Sequence, residues 1–300
     1  MGYSRREAIK CIGAGTLLLM GEIYGRPIGR LAELIPGQEG NPAQRYAIFS
    51  KITSQIALHP NNPKPRQILK SWLAFNGAEF YLNSHNLSMS SELYRHFLYG
   101  KGESVNISTH ISRIFPPTKN LHTPHTSIDH HLAQSFMKRS KPPIRILKTS
   151  ETGIEVRGVT LADHPDMDSS LGNFTFTIAG NIDPNSMRKE NKSVCFSLTK
   201  PNIKIYDKFD WDPKITSSVN IGITILSLSQ ELGIPVDEAL QIVLSPEEYT
   251  QLLCCSADVI SPKKGSLLVQ GGYAQEYNVT TDKLTLDVPK IDLEIPTNML

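Results

Sequence analysis

The stretch NFTFTI, residues 173–178, decides the fold class, because apolar side chains alternate along it with Asn and Thr. Alternation with a period of two is typical of a β-strand that buries one face. Four more segments rich in β-formers lie between turn residues, at 144–147, 154–159, 193–198 and 203–206. No helix is predicted between these strands, which argues against a doubly wound parallel sheet and favours a mainly antiparallel sheet or an open barrel.

Helices are predicted on both sides of these strands. Upstream, apolar residues recur every three or four positions from Asn41 to the breaker HPNNP, residues 59–63. More upstream helices are expected at 66–75, 91–99 and 128–139. Downstream, three helices are expected at 219–232, at 236–243 and after SPEE, residues 245–248, before strands resume at 266–269, 274–279, 283–288 and 291–295. The predicted fold class is α+β: a helical N-terminal half, then a mainly antiparallel β-sheet or open barrel with a helical insertion.

The first 26 residues have the pattern of a twin-arginine export signal. SRREAIK, residues 4–10, places two arginines and a lysine before an uncharged run, residues 11–21. That run is too short and too rich in Gly and Thr to cross about 30 Å of hydrocarbon as a helix. We therefore expect export to the periplasm or beyond, with residues 27–40 as a linker; an ordinary amphipathic helix is the alternative.

Charge divides the rest of the chain into two predicted domains. Residues 41–143 carry 12 Lys and Arg against 4 Asp and Glu, whereas residues 144–300 carry 14 against 21. We predict a helical basic domain at 41–143 and a β-rich acidic domain at 144–300. The basic domain either approaches lipid head groups or pyrophosphates, as a peripheral membrane contact, or docks on its acidic neighbour. Nucleic acid is not an expected partner, because the basic residues are dispersed and no binding motif accompanies them.

A histidine-rich segment is the first candidate for chemistry. His122, His125, Asp129, His130 and His131 lie within ten residues, a density of imidazole and carboxylate that suits zinc or copper. Neighbouring His130 and His131 point about 100° apart on a helix, so they do not easily face one metal ion. A polar surface loop explains the same residues.

An acidic segment is the second candidate. DKFDWDP, residues 207–213, follows the predicted strand at 203–206, and Asp207, Asp210 and Asp212 could converge on Mg²⁺ there. A cation held in this way could clamp a phosphate ester or pyrophosphate during hydrolysis. Phe209 and Trp211 add apolar surface, as a lipid-bearing substrate requires. The alternative is a solvated acidic turn.

The second half of the chain resembles the activity domain of colicin M-type bacteriocins and related toxins. The resemblance is carried by Asp207-x-Phe209-Asp210 with Pro213, by GGYAQEYNV at 271–279, and by HFLYGKGE at 96–103. It implies Mg²⁺-dependent cleavage of the peptidoglycan precursor lipid II between lipid and pyrophosphate, in the periplasm. The resemblance implies that Asp207 helps to bind the cation or to activate the attacking water, and that Asp210 is the second catalytic carboxylate.

The sequence departs from the family at one position. The His-Arg pair of these toxins falls at Thr216-Ser217, and neither residue replaces an imidazole or a guanidinium. A catalytic histidine would therefore come from His164 or from residues 41–143. Otherwise the chain is a non-catalytic periplasmic protein that binds an envelope partner through a degenerate toxin-like fold.

Overall fold

A computed structural model describes residues 39–115, 128–161, 164–190, 192–209, 218–233, 235–254, 258–285 and 290–299. The proposed signal at 1–26, and the linker up to residue 38, lie outside these ranges. The described residues form two compact units. The helical unit comprises those within 39–85, 94–101 and 218–275, and the sheet unit those within 86–93, 102–209 and 276–299. The proposed domain boundary after residue 143 stays a prediction.

Ten α-helices lie within the described residues, and they confirm the helical N-terminal half and the later helical insertion. In chain order they are α1 (Pro42–Leu58), α2 (Pro63–Ser84), α3 (Ser88–Tyr99), α4 (Ser108–Ile114), α5 (Ile128–Arg139), α6 (Pro165–Asp168), α7 (Ile221–Leu232), α8 (Val236–Val243), α9 (Pro246–Cys254) and α10 (Pro262–Gln270). Across the described part of the chain, none of the helices is both long and apolar enough to cross a membrane.

Side-chain caps fix where several of these helices begin. Asn41 and Asn62 accept hydrogen bonds from backbone N–H groups in the first turns of α1 and α2, and each is followed by proline at the first helical position. At α9, Ser245 and Glu248 cap each other's backbone N–H groups in a capping box. These caps are the local reason that the sequence-predicted starts of α1 and α9 are close to the observed ones.

The strands belong to one large open sheet and one small ribbon. In chain order they are β1 (Val105–Asn106), β2 (Lys141–Lys148), β3 (Gly153–Leu161), β4 (Asn173–Ile182), β5 (Arg188–Lys189), β6 (Ser193–Phe209), β7 (Ser218–Val219), β8 (Asp258–Val259), β9 (Tyr277–Thr280), β10 (Leu284–Thr285) and β11 (Lys290–Pro296).

The large sheet confirms the α+β class. Its strand order is β1-β9-β6-β4-β3-β2, and β5, β10 and β11 also pair with β6. Every pair within it is antiparallel except β1 with β9, and the sheet does not close into a barrel. One face is covered by α5, whose Phe136 ring lies 5.2 Å from that of Phe174 and 5.6 Å from that of Phe176.

β6 corrects the prediction of two strands at 193–198 and 203–206, because the structure has one strand of 17 residues. Asn181 pairs with Thr199 and Ala179 with Asn202, so Lys200 and Pro201 together oppose Gly180 alone. This arrangement is a β-bulge, which locally interrupts the hydrogen-bonded ladder between the strands. Pro201 is tolerated there, because its missing N–H costs no hydrogen bond between the strands. Lys200 takes the left-handed backbone conformation, with a φ of 50°. The strand therefore continues through the residues that predict a turn.

A second correction concerns residues 266–269, which were predicted to form a strand and belong to α10 instead. Pro262 occupies the start of this helix, where its missing N–H costs nothing. Gly265 and Leu268 are its buried residues, three positions apart as on one face of a helix. A run of four apolar residues cannot by itself distinguish these two structures.

Candidate functional site

Asp207 lies within β6, one residue beyond the predicted end of the strand at Tyr206. It pairs with Val279 of β9, and the ladder continues to Phe209 opposite Tyr277. Because side chains alternate along a strand, Asp207 shares a face with the buried Ile205 and Phe209. The Asp207 residue is itself half-buried. A carboxylate on the largely apolar face of the sheet is the most unusual feature at this end of β6.

An aromatic pair stands beside Asp207 on that face. The rings of Phe209 and Tyr277 stack with centroids 5.0 Å apart and planes inclined by 14°. Tyr277 donates a hydrogen bond from its hydroxyl to the carbonyl of Leu93, at 2.6 Å. On the opposite face, Lys208 forms an ion pair with Glu276, at 2.7 Å. The end of β6 therefore places one half-buried carboxylate beside a buried aromatic pair.

The remaining carboxylates of the acidic segment, Asp210 and Asp212, lie outside the described residues, as do Trp211, Pro213 and the Thr216-Ser217 pair. The structure therefore positions one of the three predicted magnesium ligands. Within the described ranges, no group of three or more His, Cys, Asp or Glu side chains is arranged to hold a metal ion.

Two histidines of the sheet unit have identified contacts. His164 caps α6 by accepting a hydrogen bond from the Asp166 N–H, at 3.2 Å, and its ring lies 6.4 Å from that of Phe115. His110 pairs with Glu92, at 2.9 Å. Of the proposed zinc or copper ligands, His122 and His125 lie outside the described residues. Asp129, His130 and His131 belong to α5, but their side chains are outside the described part of the structure.

The helical unit contains a buried cluster of charges that sequence reasoning missed. Arg45 of α1 and Glu79 of α2 are each 2% exposed, and their side chains form an ion pair of 2.6 Å. Glu79 also accepts two hydrogen bonds from Arg95 of α3, at 2.9 and 2.6 Å. Arg45 further contacts Glu231 of α7, at 3.4 Å. One carboxylate thus bridges two guanidinium groups.

Neutral polar groups complete the hydrogen bonding of Arg45. It donates to the side chain of Asn76 and, at 2.6 Å, to the carbonyl of Gly40. The Tyr99 hydroxyl in turn donates to Asn76, at 2.5 Å. Buried charges that are paired and hydrogen-bonded in this way fix the register of neighbouring helices. We infer that this cluster fixes the positions of α1, α2, α3 and α7 within the helical unit, because its polar atoms form hydrogen bonds and ion pairs with one another.

The pKa values of the cluster reflect its burial and its charges. Burial alone lowers the pKa of Arg45, but Tyr99, Glu79 and Glu231 outweigh it and raise the pKa above its usual value. Burial raises the pKa of the Tyr99 hydroxyl, with Arg45 opposing it. Burial likewise raises the pKa of Glu231, against the attraction of Arg45. Arg45 therefore stays charged, and the raised pKa of Glu231 links the stability of the helical unit to pH.

Replacing Glu231 by Gln is expected to change how stability depends on pH. The raised pKa of Glu231 means that the folded state binds its proton more tightly than the unfolded state. This contribution to stability is fully present below the ordinary pKa and is lost as pH rises through the folded pKa. The free energy of unfolding of Glu231→Gln minus that of the wild type should therefore become more positive from about pH 4 to about pH 7.

Urea denaturation at a series of pH values measures this difference. Gln230→Ala, a change at an exposed residue of α7 that removes no titratable group, is the control and should give a difference that does not vary with pH. A difference for Glu231→Gln that stays constant, or becomes more negative as pH rises, would contradict the prediction.

The sequence does contain a signal for the buried cluster. Arg45 precedes Phe49, Ile52 and Ile56 at the spacing of one helical face, and these residues are buried together. Glu79 likewise falls on the face of α2 that carries Trp72 and Phe75. A charge of each sign within an apolar stripe predicts a buried ion pair, since an unpaired buried charge is costly.

Comparison of the chain with protein families, with curated proteins and with solved structures found no match.

Proposed function

We propose that the chain is an exported protein of the cell envelope that hydrolyses a lipid-linked pyrophosphate, with lipid II as substrate and Mg²⁺ as cofactor. One observation carries the proposal: Asp207 is half-buried on a largely apolar sheet face, beside the stacked Phe209 and Tyr277. A pyrophosphate substrate needs a cation, and a carboxylate at the edge of an apolar core is suited to hold one. The acidic segment and its resemblance to colicin M-type domains support the same assignment.

The chemistry follows from the charge of the substrate. Hydrolysis between lipid and pyrophosphate consumes one water molecule and yields the lipid alcohol and the pyrophosphorylated disaccharide-peptide. Asp207 fits as an oxygen ligand of Mg²⁺, which when bound offsets the charge of the pyrophosphate. Partial withdrawal of a carboxylate from water strengthens its attraction for a cation, because the effective dielectric constant falls. Phe209 and Tyr277, which are 5% and 3% exposed, would support Asp207 from the core rather than contact the substrate.

Asp207→Asn tests the proposal, because it keeps the side chain's size and removes its charge. With lipid II and Mg²⁺, we expect the wild type to release the pyrophosphorylated disaccharide-peptide and the variant to release it about a hundredfold more slowly or less. Chromatography of the reaction measures the release. Asp168→Asn, at an exposed residue of the same unit, is the matched control and should leave the rate unchanged.

Two outcomes would reject this function: no release by the wild type with Mg²⁺, or equal rates for the wild type and Asp207→Asn. The first would favour the non-catalytic alternative, a periplasmic protein that binds an envelope partner.

One observation supports the non-catalytic alternative. Ile223 and Leu226, three residues apart on α7, are each 61% exposed. Apolar side chains this exposed on one helix face are typical of binding surfaces.

A further inference from the structure

The sheet has a second face, opposite to the one that carries Asp207 and α5. At one end of β6 this face holds the buried Ser193 and Ser197 beside Asp292 and Glu294 of β11. The rest of it comes from the alternate positions of β2, β3, β4, β9 and residues 202–208 of β6, and each of these side chains is exposed or half-buried. The pairing register aligns them in rows that cross the strands. This face belongs entirely to the sheet unit.

One row of this face carries three cations. Arg145 of β2 lies directly opposite Arg157 of β3, Arg157 pairs with Thr177 of β4, and Thr177 pairs with Lys204 of β6. Like charges directly opposite each other on neighbouring strands are destabilising. All three cationic residues are exposed. Because these like charges destabilise the free protein, the row indicates that the face binds a negatively charged surface, which offsets the charges.

Cations outnumber carboxylates on the part of this face formed by β2, β3, β4, β9 and residues 202–208 of β6. Lys141 and Lys208 lie there beside the three of the row, giving five cations, whereas Glu155 and Glu276 are the two carboxylates within or next to these strands. Glu155 contacts Arg157, at 3.3 Å, and Glu276 pairs with Lys208. Residues 144–300 are acidic overall, so this excess of cations is a local sorting of charge. We call these seven residues and Thr177 the basic face.

Apolar side chains are interspersed with these charges. Tyr206 is 48% exposed, Val159 and Leu161 are each 40% exposed, and Leu147 is 38% exposed. The register places each of them on the same side of the sheet as Arg157 and Lys204. Aliphatic residues and tyrosine among cations are the composition of surfaces that lie in a membrane interface, where apolar groups reach the acyl boundary and cations meet anionic head groups.

We propose that the basic face lies against a lipid bilayer with anionic head groups and so holds the protein at the membrane surface. The open sheet presents its cations and apolar side chains on one side, where a bilayer can meet them together. A single-stranded nucleic acid fits less well, because such ligands need several aromatic side chains for stacking. Tyr206 is the one exposed aromatic among the described residues of this face. The proposal does not rest on catalysis.

Vesicle binding tests the proposal with the full chain. We expect the protein to co-sediment with vesicles of phosphatidylcholine and phosphatidylglycerol but not with vesicles of phosphatidylcholine alone. Each basic residue near an anionic leaflet changes partition by about fivefold, so the triple variant Arg145→Gln, Arg157→Gln, Lys204→Gln should bind on the order of a hundredfold more weakly. Raising salt from about 0.05 to about 0.5 M should weaken wild-type binding, because screening shortens the reach of the charges.

The control has the same composition and net charge change. Arg113→Gln, Arg139→Gln, Lys189→Gln removes two arginines and one lysine from exposed positions of the same unit, in α4, in α5 and at the residue of β5 that pairs with Val194 and so points to the α5 side, and it should bind as the wild type does. Circular dichroism should show both triple variants folded. Equal binding to neutral and anionic vesicles, or equal losses in the two triple variants, would overturn the proposal. Preferential binding of a single-stranded oligonucleotide, lost in the basic-face variant, would reassign the face to nucleic acid.

Discussion

Glu79→Ala is expected to lower the free energy of unfolding by about 3–5 kcal/mol. Glu79 is the one carboxylate that contacts both Arg45 and Arg95, and its removal leaves the 2%-exposed Arg45 with only the longer contact to Glu231 as an ionic partner among the described residues. Burial of an uncompensated charge is among the most destabilising single changes in a protein. Urea denaturation of the wild type and the variant measures the loss.

Three further variants separate the ion pair from the size of the side chain. Glu238→Ala, on the exposed surface of α8, should cost no more than about 0.5 kcal/mol. The double variant Arg45→Met, Glu79→Leu should be more stable than Glu79→Leu alone, because replacing a buried ion pair by apolar groups removes the unpaired charge. A double variant no more stable than Glu79→Leu would show that Arg45 remains satisfied without Glu79 and would contradict the role given to the pair.

Local patterns in the sequence predict the fold class because each depends on neighbouring residues. The strict alternation at 173–178 predicts a strand, and β4 begins at the same residue and continues to Ile182. The apolar spacing at 236–243 predicts a helix, and α8 has those bounds. The bulge at Lys200 and Pro201 could not be predicted in this way, because it depends on Gly180 in a different strand. A Cβ atom at Gly180 would lie 2.9 Å from the Thr199 carbonyl oxygen, so the close approach requires glycine.

The candidate site could likewise be predicted only where it depends on neighbouring residues, and not where it depends on residues distant in the sequence. The sequence predicts that Asp207 follows a strand, and the structure places it within the ladder, because pairing with Val279 of β9 extends β6 by three residues. That partner is 72 residues further along the chain, beyond the helical insertion. The basic face was also missed, since its three-cation row appears only when β2, β3, β4 and β6 are aligned. A count of charge along residues 144–300 gives the opposite sign.

Asp166→Ala is the second change expected to be strongly destabilising, because Asp166 caps a helix that is distant in sequence. Its buried carboxylate accepts hydrogen bonds from the backbone N–H groups of Met89 and Ser90 at the start of α3, at 3.0 and 2.7 Å. Ser90 returns a bond from its hydroxyl to the Asp166 carbonyl. Removal of the carboxylate leaves two buried donors without a partner, each costing about 1–3 kcal/mol, so we expect a loss of about 3 kcal/mol.

The contribution of charge to this cap can be separated from that of hydrogen bonding. Asp166→Asn keeps one acceptor oxygen but loses the attraction between a carboxylate and the positive end of a helix, so it should lie between the wild type and Asp166→Ala. Asp168→Ala, two residues away and exposed, should cost less than about 0.5 kcal/mol. Urea denaturation orders the four proteins. Equal stability of Asp166→Ala and Asp168→Ala would mean that water or another group satisfies the start of α3. The contacts of Asp166 with Met89 and Ser90 would then contribute nothing to the stability of the sheet unit.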